Sequence, residues 1–320
     1  NMKGERVLLL YPPCIEFIEA FFGCQFAGAI PVPAFPPRKS RNGARIDLIA
    51  KDADAKLILT NRETANRMDQ ATEDTVCLKN IPILVTEEIE DDYAAHYKPY
   101  LISRDEIGLL QYTSGSTGSP KGVILTHANL MENCKTITRA FSIYQRGSGI
   151  SWLPTYHDMG LVGGILNPIF IGRSSHLLPP LSFLAKPVRW LRTISNFNGS
   201  ISGGPNFAYQ LCVDKITDEE MNGLDLSCWE VAFNGAEPVR NATMTAFSEK
   251  FAKVGFNPTA HYPCYGMAET TLLVTGGVSS EIPVIRHFDR HELDNYRAVK
   301  LDAADPNGRE MVGCGTVQPD

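Results

Sequence analysis

Every residue from Thr113 to Ser119 is a glycine or carries a hydroxyl, and a lysine follows two positions later. The whole run, residues 112–122, reads Tyr-Thr-Ser-Gly-Ser-Thr-Gly-Ser-Pro-Lys-Gly. Hydroxyls and bare amides donate to anionic oxygens, and glycine lets backbone curl round a phosphate without a Cβ in the way. The run lies between two strand-like apolar segments, Ile107 to Tyr112 and Val123 to Leu125. A flexible Gly/Ser linker does not end in Pro-Lys-Gly and enter a strand directly. A Walker-type loop needs Gly, four residues, then Gly-Lys-Ser/Thr opening a helix. Here Pro120 precedes Lys121 and Gly122 follows it, so that spacing fails. What remains is a strand–loop–strand cradle for a polyphosphate.

The pattern around this loop predicts an α/β chain. Arg6 to Tyr11 reads as a buried strand, Ile15 to Ala29 as a helix, Ile30 to Phe35 as an extended exit and Arg45 to Ala53 as a second helix. Lys56 to Thr60 and Ile81 to Thr86 read as further strands, and Glu87 to Lys98 as a polar junction. Beyond the loop a helix is expected from about Ala128 to Phe141. Strands follow at Ile150 to Leu153, Trp229 to Phe233 and Thr259 to Tyr262, with a helix over Lys186 to Phe197. Such alternation favours parallel strands joined by crossover helices, with ligands at the carboxyl ends of the strands.

Composition narrows the function classes. Net charge is −6, so no overall basic field recruits nucleic acid or an anionic membrane. The eight cysteines include no Cys-x-x-Cys pair, which argues against a zinc ribbon or a disulfide framework and fits a reducing cytoplasm. The apolar run from Ile15 to Phe35 holds Glu16, Glu19, Pro31 and Pro33, so a membrane span is not expected. No signal peptide is visible at the start.

Four other strings carry possible chemistry. Residues 262–270 read Tyr-Pro-Cys-Tyr-Gly-Met-Ala-Glu-Thr. Tyr265 offers a ring to stack on a purine. A bare Glu269 carboxylate ~4 Å from a phosphate charge costs roughly 4 kcal/mol at an effective dielectric of about 20, so beside a triphosphate it calls for Mg²⁺ between them. A plain acidic first turn of a helix explains Glu269 equally well. Residues 233–238 read Phe-Asn-Gly-Ala-Glu-Pro, where Gly235 and Ala236 leave room for a flat base, or make an ordinary strand-to-helix turn. Residues 151–161 read Ser-Trp-Leu-Pro-Thr-Tyr-His-Asp-Met-Gly-Leu. Adjacent residues seldom form a working dyad, so His157 is read as a positioning residue or a structural histidine, not as a base oriented by Asp158. Residues 202–208 read Ser-Gly-Gly-Pro-Asn-Phe-Ala. Gly203 and Gly204 open room and Phe207 supplies an apolar wall, as in a tunnel for an apolar chain or a turn before a core helix.

Taken together and in this order, the strings resemble the fatty acyl-AMP ligase branch of the adenylate-forming superfamily, over nearly the whole chain. The resemblance implies an α/β fold of two open, mostly parallel sheets with flanking helices, plus the start of a small β subdomain. The implied division is a first α/β subdomain over 1–105, a second with the ATP and acyl site over 106–277, and the β subdomain over 278–320. It implies that Thr113, Ser114, Gly115, Ser116, Thr117, Gly118 and Lys121 contact phosphates. Asn234, Gly235, Ala236, Glu237, Tyr265, Gly266, Met267 and Ala268 would surround nucleotide and substrate, and Glu269 would hold Mg²⁺. His157, Gly203, Gly204 and Phe207 would line the carboxylate and acyl pocket. Lys121, His157 and Glu269 are the implied catalytic set.

Two residues depart from the superfamily pattern. Ala268 stands where many members have Thr, a replacement this branch accepts, and Pro263 stands where some relatives use Asn on adenine. The family's ribose-binding Asp motif and its small C-terminal domain with the catalytic lysine are expected beyond Asp320, and the usual N-terminal lead before Asn1. The polar stretch from Ser279 to Met311 resembles the place of an insertion that the family links to transfer onto an acyl-carrier protein. The implied reaction is activation of a fatty acid with ATP to acyl-adenylate and pyrophosphate. Transfer to an acyl-carrier protein or a polyketide synthase carrier domain follows, in lipid or polyketide biosynthesis. A fatty acyl-CoA synthetase is the nearest alternative, and a non-catalytic nucleotide-binding or scaffold module the alternative from another class.

Overall fold

A computed structural model describes residues 2–37, 43–71, 75–113, 120–142 and 147–317. Two compact units emerge: Asn1–Glu132 with Pro154–Leu161, and Asn133–Leu153 with Val162–Asp320.

The first unit is built on β1 (Arg6–Leu10), α1 (Ile15–Phe26), β2 (Ile30–Ala34), α2 (Gly43–Asp52), β3 (Leu57–Thr60), α3 (Arg62–Ala71) and β4 (Ile83–Val85). The strands form a parallel sheet in the order β2-β1-β3-β4. Val7, Leu8, Leu9 and Leu10 are all buried, as a central strand covered on both faces requires. On one face Leu8 and Leu10 share a core cluster with Val32, Ile46, Ile49 and Ile58. β2 carries two prolines and ends its sheet. Ile30 donates to the Glu5 carbonyl on the β1 side, so strand alternation turns the nitrogens of Pro31 and Pro33 away from the ladder, where a missing N–H costs nothing. α3 has no apolar stripe to announce it. Its signal is a cap: the Thr64 N–H donates to Asn61 Oδ1 at 3.0 Å.

Next come β5 (Ile107–Thr113) and β6 (Lys121–Thr126), paired antiparallel as a hairpin, and then α4 (His127–Ala140). The two flanking strands are present as read, with Thr113 directly opposite Lys121.

The second unit carries a seven-stranded sheet. Its elements are β7 (Ser148–Ser151), α5 (Asn167–Phe170), β8 (Ser175–Leu177), α6 (Pro180–Ala185), α7 (Val188–Asn196), β9 (Gly199–Gly204), α8 (Asn206–Lys215), β10 (Val231–Asn234), α9 (Asn241–Phe251), β11 (His261–Gly266) and β12 (Leu273–Gly276). The order is β16-β12-β11-β10-β9-β7-β8, with β16 at Thr316–Val317. From β8 to β11 the pairs are parallel, whereas β12 and β16 are antiparallel additions. Trp190, Trp229, Tyr209, Phe247 and Phe251 are fully buried against this sheet in edge-on and stacked contacts. The polar stretch 279–311 carries structure of its own. β13 (Ile285–Asp289), α10 (Arg290–Asp294), β14 (Lys300–Leu301) and β15 (Gly308–Val312) make a three-stranded antiparallel sheet. The α/β class and the small β addition therefore stand as read from the sequence.

Candidate active site

In the first unit, Thr113 and Lys121 close the hairpin, and Lys121 is exposed. Ser114, Gly115, Ser116, Thr117 and Gly118 lie outside the described residues. The hairpin root is held from two sides. The Tyr112 hydroxyl donates to the Asp52 carboxylate at 2.5 Å, and a Cβ on Gly122 would come within 2.9 Å of the Tyr112 ring. Glycine in Pro-Lys-Gly therefore lets that ring lie across the strands. Gln111 is buried and donates from Nε2 to the Tyr156 carbonyl at 2.8 Å. It ties β5 to the segment bearing His157.

His157 and Asp158 do pair, contrary to the expectation that neighbours would not. His157 Nδ1 lies 2.5 Å from Asp158 Oδ1, and the Met159 N–H donates to the same oxygen at 2.6 Å. The reason is local. Asp158 accepts at the start of a π-helical turn, Met159–Leu166, and this fixed carboxylate turns the neighbouring ring onto itself. The Asp158 hydrogen bond holds the His157 imidazole above its ordinary pKa. That favours a cationic, anion-facing side chain over a general base.

In the second unit the motif strands end side by side. Register pairs Gly203 with Phe233 and Gly204 with Asn234, and Asn234 in turn pairs with Pro263. Gly203, Gly204, Asn234, Gly235 and the 263–266 segment thus share the carboxyl edge of β9, β10 and β11. Parallel α/β sheets bind ligands at this edge.

The glycines there are demanded by packing. A Cβ on Gly203 would stand 2.0 Å from the Phe233 carbonyl oxygen, and one on Gly204 would stand 2.5 Å from the Trp152 indole. Phe233 and Trp152 fill the space that a side chain at either glycine would need. Phe207 is 43% exposed, with its ring edge-on to Trp152 at 6.1 Å, and remains available as an apolar wall. A Cβ on Gly235 would meet the Cys264 carbonyl at 2.9 Å, and Ala236 has φ +67°. The backbone of the Asn-Gly-Ala-Glu-Pro turn is therefore tightly folded over β11.

Asn206, which sequence reasoning passed over, organises this turn. Its Oδ1 accepts from the Arg240 N–H at 3.0 Å and from Asn234 Nδ2 at 3.5 Å, while its Nδ2 donates to Thr243 Oγ1 at 3.2 Å. Asn234 is fully buried; its Nδ2 joins this network, while its Oδ1 has no hydrogen-bond partner among the described residues. Glu237 is exposed and accepts the Phe207 N–H at 2.6 Å, in the first turn of α8. There it complements the helix dipole. No local sequence pattern signals this arrangement, because the Asn206 partners lie 28 to 37 positions away.

Tyr265 is 51% exposed and its hydroxyl reaches Met267 Sδ at 3.6 Å, so its ring stands at the surface beside Gly266. Ala268 is buried, and Glu269 is exposed on the short 3₁₀ turn Ala268–Thr270. Glu269 makes no side-chain hydrogen bond or ion pair among the described residues, and these contain no group of three His, Cys, Asp or Glu able to hold a metal. A single free carboxylate suits Mg²⁺ only in its usual manner, one protein ligand completed by substrate phosphates and water. On that donor set Glu269 fits.

Comparisons with known proteins agree with this geometry. A family model described as AMP-binding enzyme matches residues 2–298. The chain is 39% identical over 319 residues to the medium-chain-fatty-acid–[acyl-carrier-protein] ligase JamA of Moorena producens, covering 98% of this chain and 54% of that protein. It is 34% identical to the long-chain-fatty-acid–AMP ligase FadD32 of Mycolicibacterium smegmatis, over 99% of this chain and 51% of the relative. The solved fatty acid AMP ligase from Legionella pneumophila superposes with a TM-score of 0.94 at 39% identity, over all of this chain and 55% of that one. A fatty acyl-adenylate ligase from L. pneumophila, solved in complex with acyl adenylate and pyrophosphate, gives 0.94 at 38%. The chain thus spans about half the length of the relatives it matches. Matched across nearly its whole length, and with three of the expected motifs at one sheet edge, the chain belongs to the AMP-binding enzyme family.

Proposed function

We propose that this chain is the nucleotide- and acyl-binding part of a ligase that activates a fatty acid with ATP. A carboxylate oxygen attacks the α-phosphorus, a C(O)O–P bond forms, the bond to the β-phosphate breaks and pyrophosphate leaves. No protein nucleophile is required, so catalysis rests on alignment and on neutralising charge. Lys121 and the hairpin loop from Thr113 face the phosphates. His157, whose proton the Asp158 hydrogen bond favours, faces the fatty-acid carboxylate. Gly235, Ala236, Tyr265, Gly266 and Met267 frame adenine, and Phe207 walls the acyl chain. Glu269 holds Mg²⁺, which when bound supplies positive charge against the phosphates.

The observation that carries this reading is the common edge formed by β9, β10 and β11, where three of the motifs lie in register. The second step is transfer to a phosphopantetheine thiol. Sulfur bonds to the acyl carbon, the acyl–phosphate oxygen bond breaks, AMP departs and the thiol gives up its proton. Relatives named fatty-acid–[acyl-carrier-protein] ligases support a carrier protein as acceptor. A polyketide synthase carrier domain, a cytoplasmic setting and the subdomain limits at 105 and 277 belong to the same proposal. No helix among the described residues is long and apolar enough to cross a membrane.

Isothermal titration with a non-hydrolysable acyl-adenylate mimic tests the binding half. Saturable heat with one site per chain is expected, and no heat at several temperatures would favour a scaffold. Product analysis of the full-length protein with both acceptors tests the second half. Acyl-carrier protein is expected to accept, and ready formation of acyl-CoA would assign a CoA synthetase instead.

A further inference from the structure

Thr271 lies in a conformation that its residue type avoids. Its φ of +74° and ψ of −60° match the rare γ-turn, and the Leu272 N–H closes that turn on the Thr270 carbonyl at 3.0 Å. A β-branched residue at positive φ is a genuine outlier, and such strain persists only where its surroundings over-determine it. Thr271 is buried, so the turn is fixed inside the unit, not at a loose tip.

One side chain grips the backbone on both sides of it. Asn133, on α4, donates from Nδ2 to the Thr270 carbonyl at 3.3 Å and to the Leu273 carbonyl at 3.0 Å. Its Oδ1 accepts from the Leu273 N–H at 3.1 Å. Both amide hydrogens and the carbonyl are therefore engaged, and the contact with Leu273 is reciprocal, as between strands. Two shorter links complete the turn. The Met267 N–H donates to the Leu272 carbonyl at 3.0 Å, and a Cβ on Gly266 would fall 1.9 Å from that same oxygen. What this framework presents at its apex is Glu269, whose carboxylate faces solvent.

We propose that Asn133 is a positioning residue for Glu269, acting through the strained turn at Thr271. Without the clamp the chain from Ala268 to Leu272 relaxes toward ordinary dihedrals, and the carboxylate moves with it. The inference rests on Glu269 as the magnesium-facing group of the proposed function.

The test uses the full-length protein and its Asn133→Ala and Asn133→Asp variants, read two ways. Hydrogen–deuterium exchange over residues 267–276 reports the turn itself. Loss of three hydrogen bonds is expected to speed exchange there about tenfold or more, with β9 and β10 unchanged. In ATP–pyrophosphate exchange, the magnesium concentration for half-maximal rate is expected to rise about tenfold, while the KM for fatty acid moves less than about twofold. Asn133→Asp keeps the Leu273 N–H contact but sets a carboxylate oxygen against two carbonyls, so it is expected to fare no better than alanine. Thr271→Gly in the Asn133→Ala background is expected to recover part of the magnesium response, because glycine takes positive φ without a Cβ clash. Unchanged amide exchange over 267–276 would overturn the proposal. So would a uniform loss of kcat, both KM values and melting temperature. If the wild type forms no adenylate, the functional reading fails while the exchange measurement still decides the clamp.

Discussion

At Gly204 the distance to a neighbour is more informative than the residue's place in a motif. A Cβ there would sit 2.5 Å from a Trp152 ring that is itself packed against Phe183 and Trp190, so the ring has no free direction to yield. Gly204→Ala is expected to lower stability by about 1–3 kcal/mol, seen as a lower urea midpoint at unchanged slope. An unshifted midpoint would show that Trp152 can give way. Glu269 is the opposite case, an exposed carboxylate with no side-chain partner among the described residues. Glu269→Ala is expected to leave the midpoint unchanged and to weaken magnesium-dependent ATP–pyrophosphate exchange by about 1.5–3 kcal/mol, or roughly tenfold to a hundredfold. Unchanged exchange would remove it from the site. Sequence reading reached Glu269 because charge sign alone raises the question of a metal. It could not see the Trp152 contact at Gly204, because a glycine required by a distant indole looks the same in sequence as a glycine that leaves space. Asn206 and Asn133 went unseen for a related reason. Their roles are hydrogen bonds to residues 34 and 140 positions away, which no local pattern encodes.

At the scale of elements, β11 joins the core to the site. It begins at His261, whose ring is buried among Tyr209, Phe247 and Phe256 with Nε2 near Ser248 Oγ and the Met244 carbonyl. It ends at Tyr265 and Gly266 on the carboxyl edge. Burial pushes the His261 pKa down to about 4 from an ordinary 6.5. The unfolded chain therefore binds a proton that the folded chain refuses between those values. Stability from this group is fully present above pH 6.5 and is lost as pH falls toward 4, by about 3 kcal/mol in all. Urea midpoints at pH 7 and pH 4.5 measure it. His261→Gln is expected to flatten this fall, and an equally steep fall in the variant would place the acid sensitivity elsewhere. The strands β1, β5 and β10 were legible from apolar runs. α3 was not, because Arg62–Ala71 is too polar to show a helical stripe. The antiparallel β12 and β16 were missed because short glycine-bearing strands carry little periodicity.

Over the whole molecule, the residues of the proposed function are divided by unit: Thr113, Lys121 and His157 belong to the first, and Phe207, Gly235, Ala236, Tyr265 and Glu269 to the second. The family and the α/β class were readable from motif order because loops that meet phosphate and base need particular small, hydroxyl and acidic residues at fixed strand ends. The specific packing behind those ends was not readable, because it depends on which strands become neighbours. The central claim is that these residues serve attack of a fatty-acid carboxylate on ATP. The most direct measurement is mass-spectrometric detection of acyl-adenylate formed by the full-length protein from ATP and fatty acids of graded length, without any thiol acceptor. Acyl-AMP and pyrophosphate in equal amounts, dependent on both substrates, are predicted. ATP bound but no acyl-AMP formed with any chain length would contradict the account.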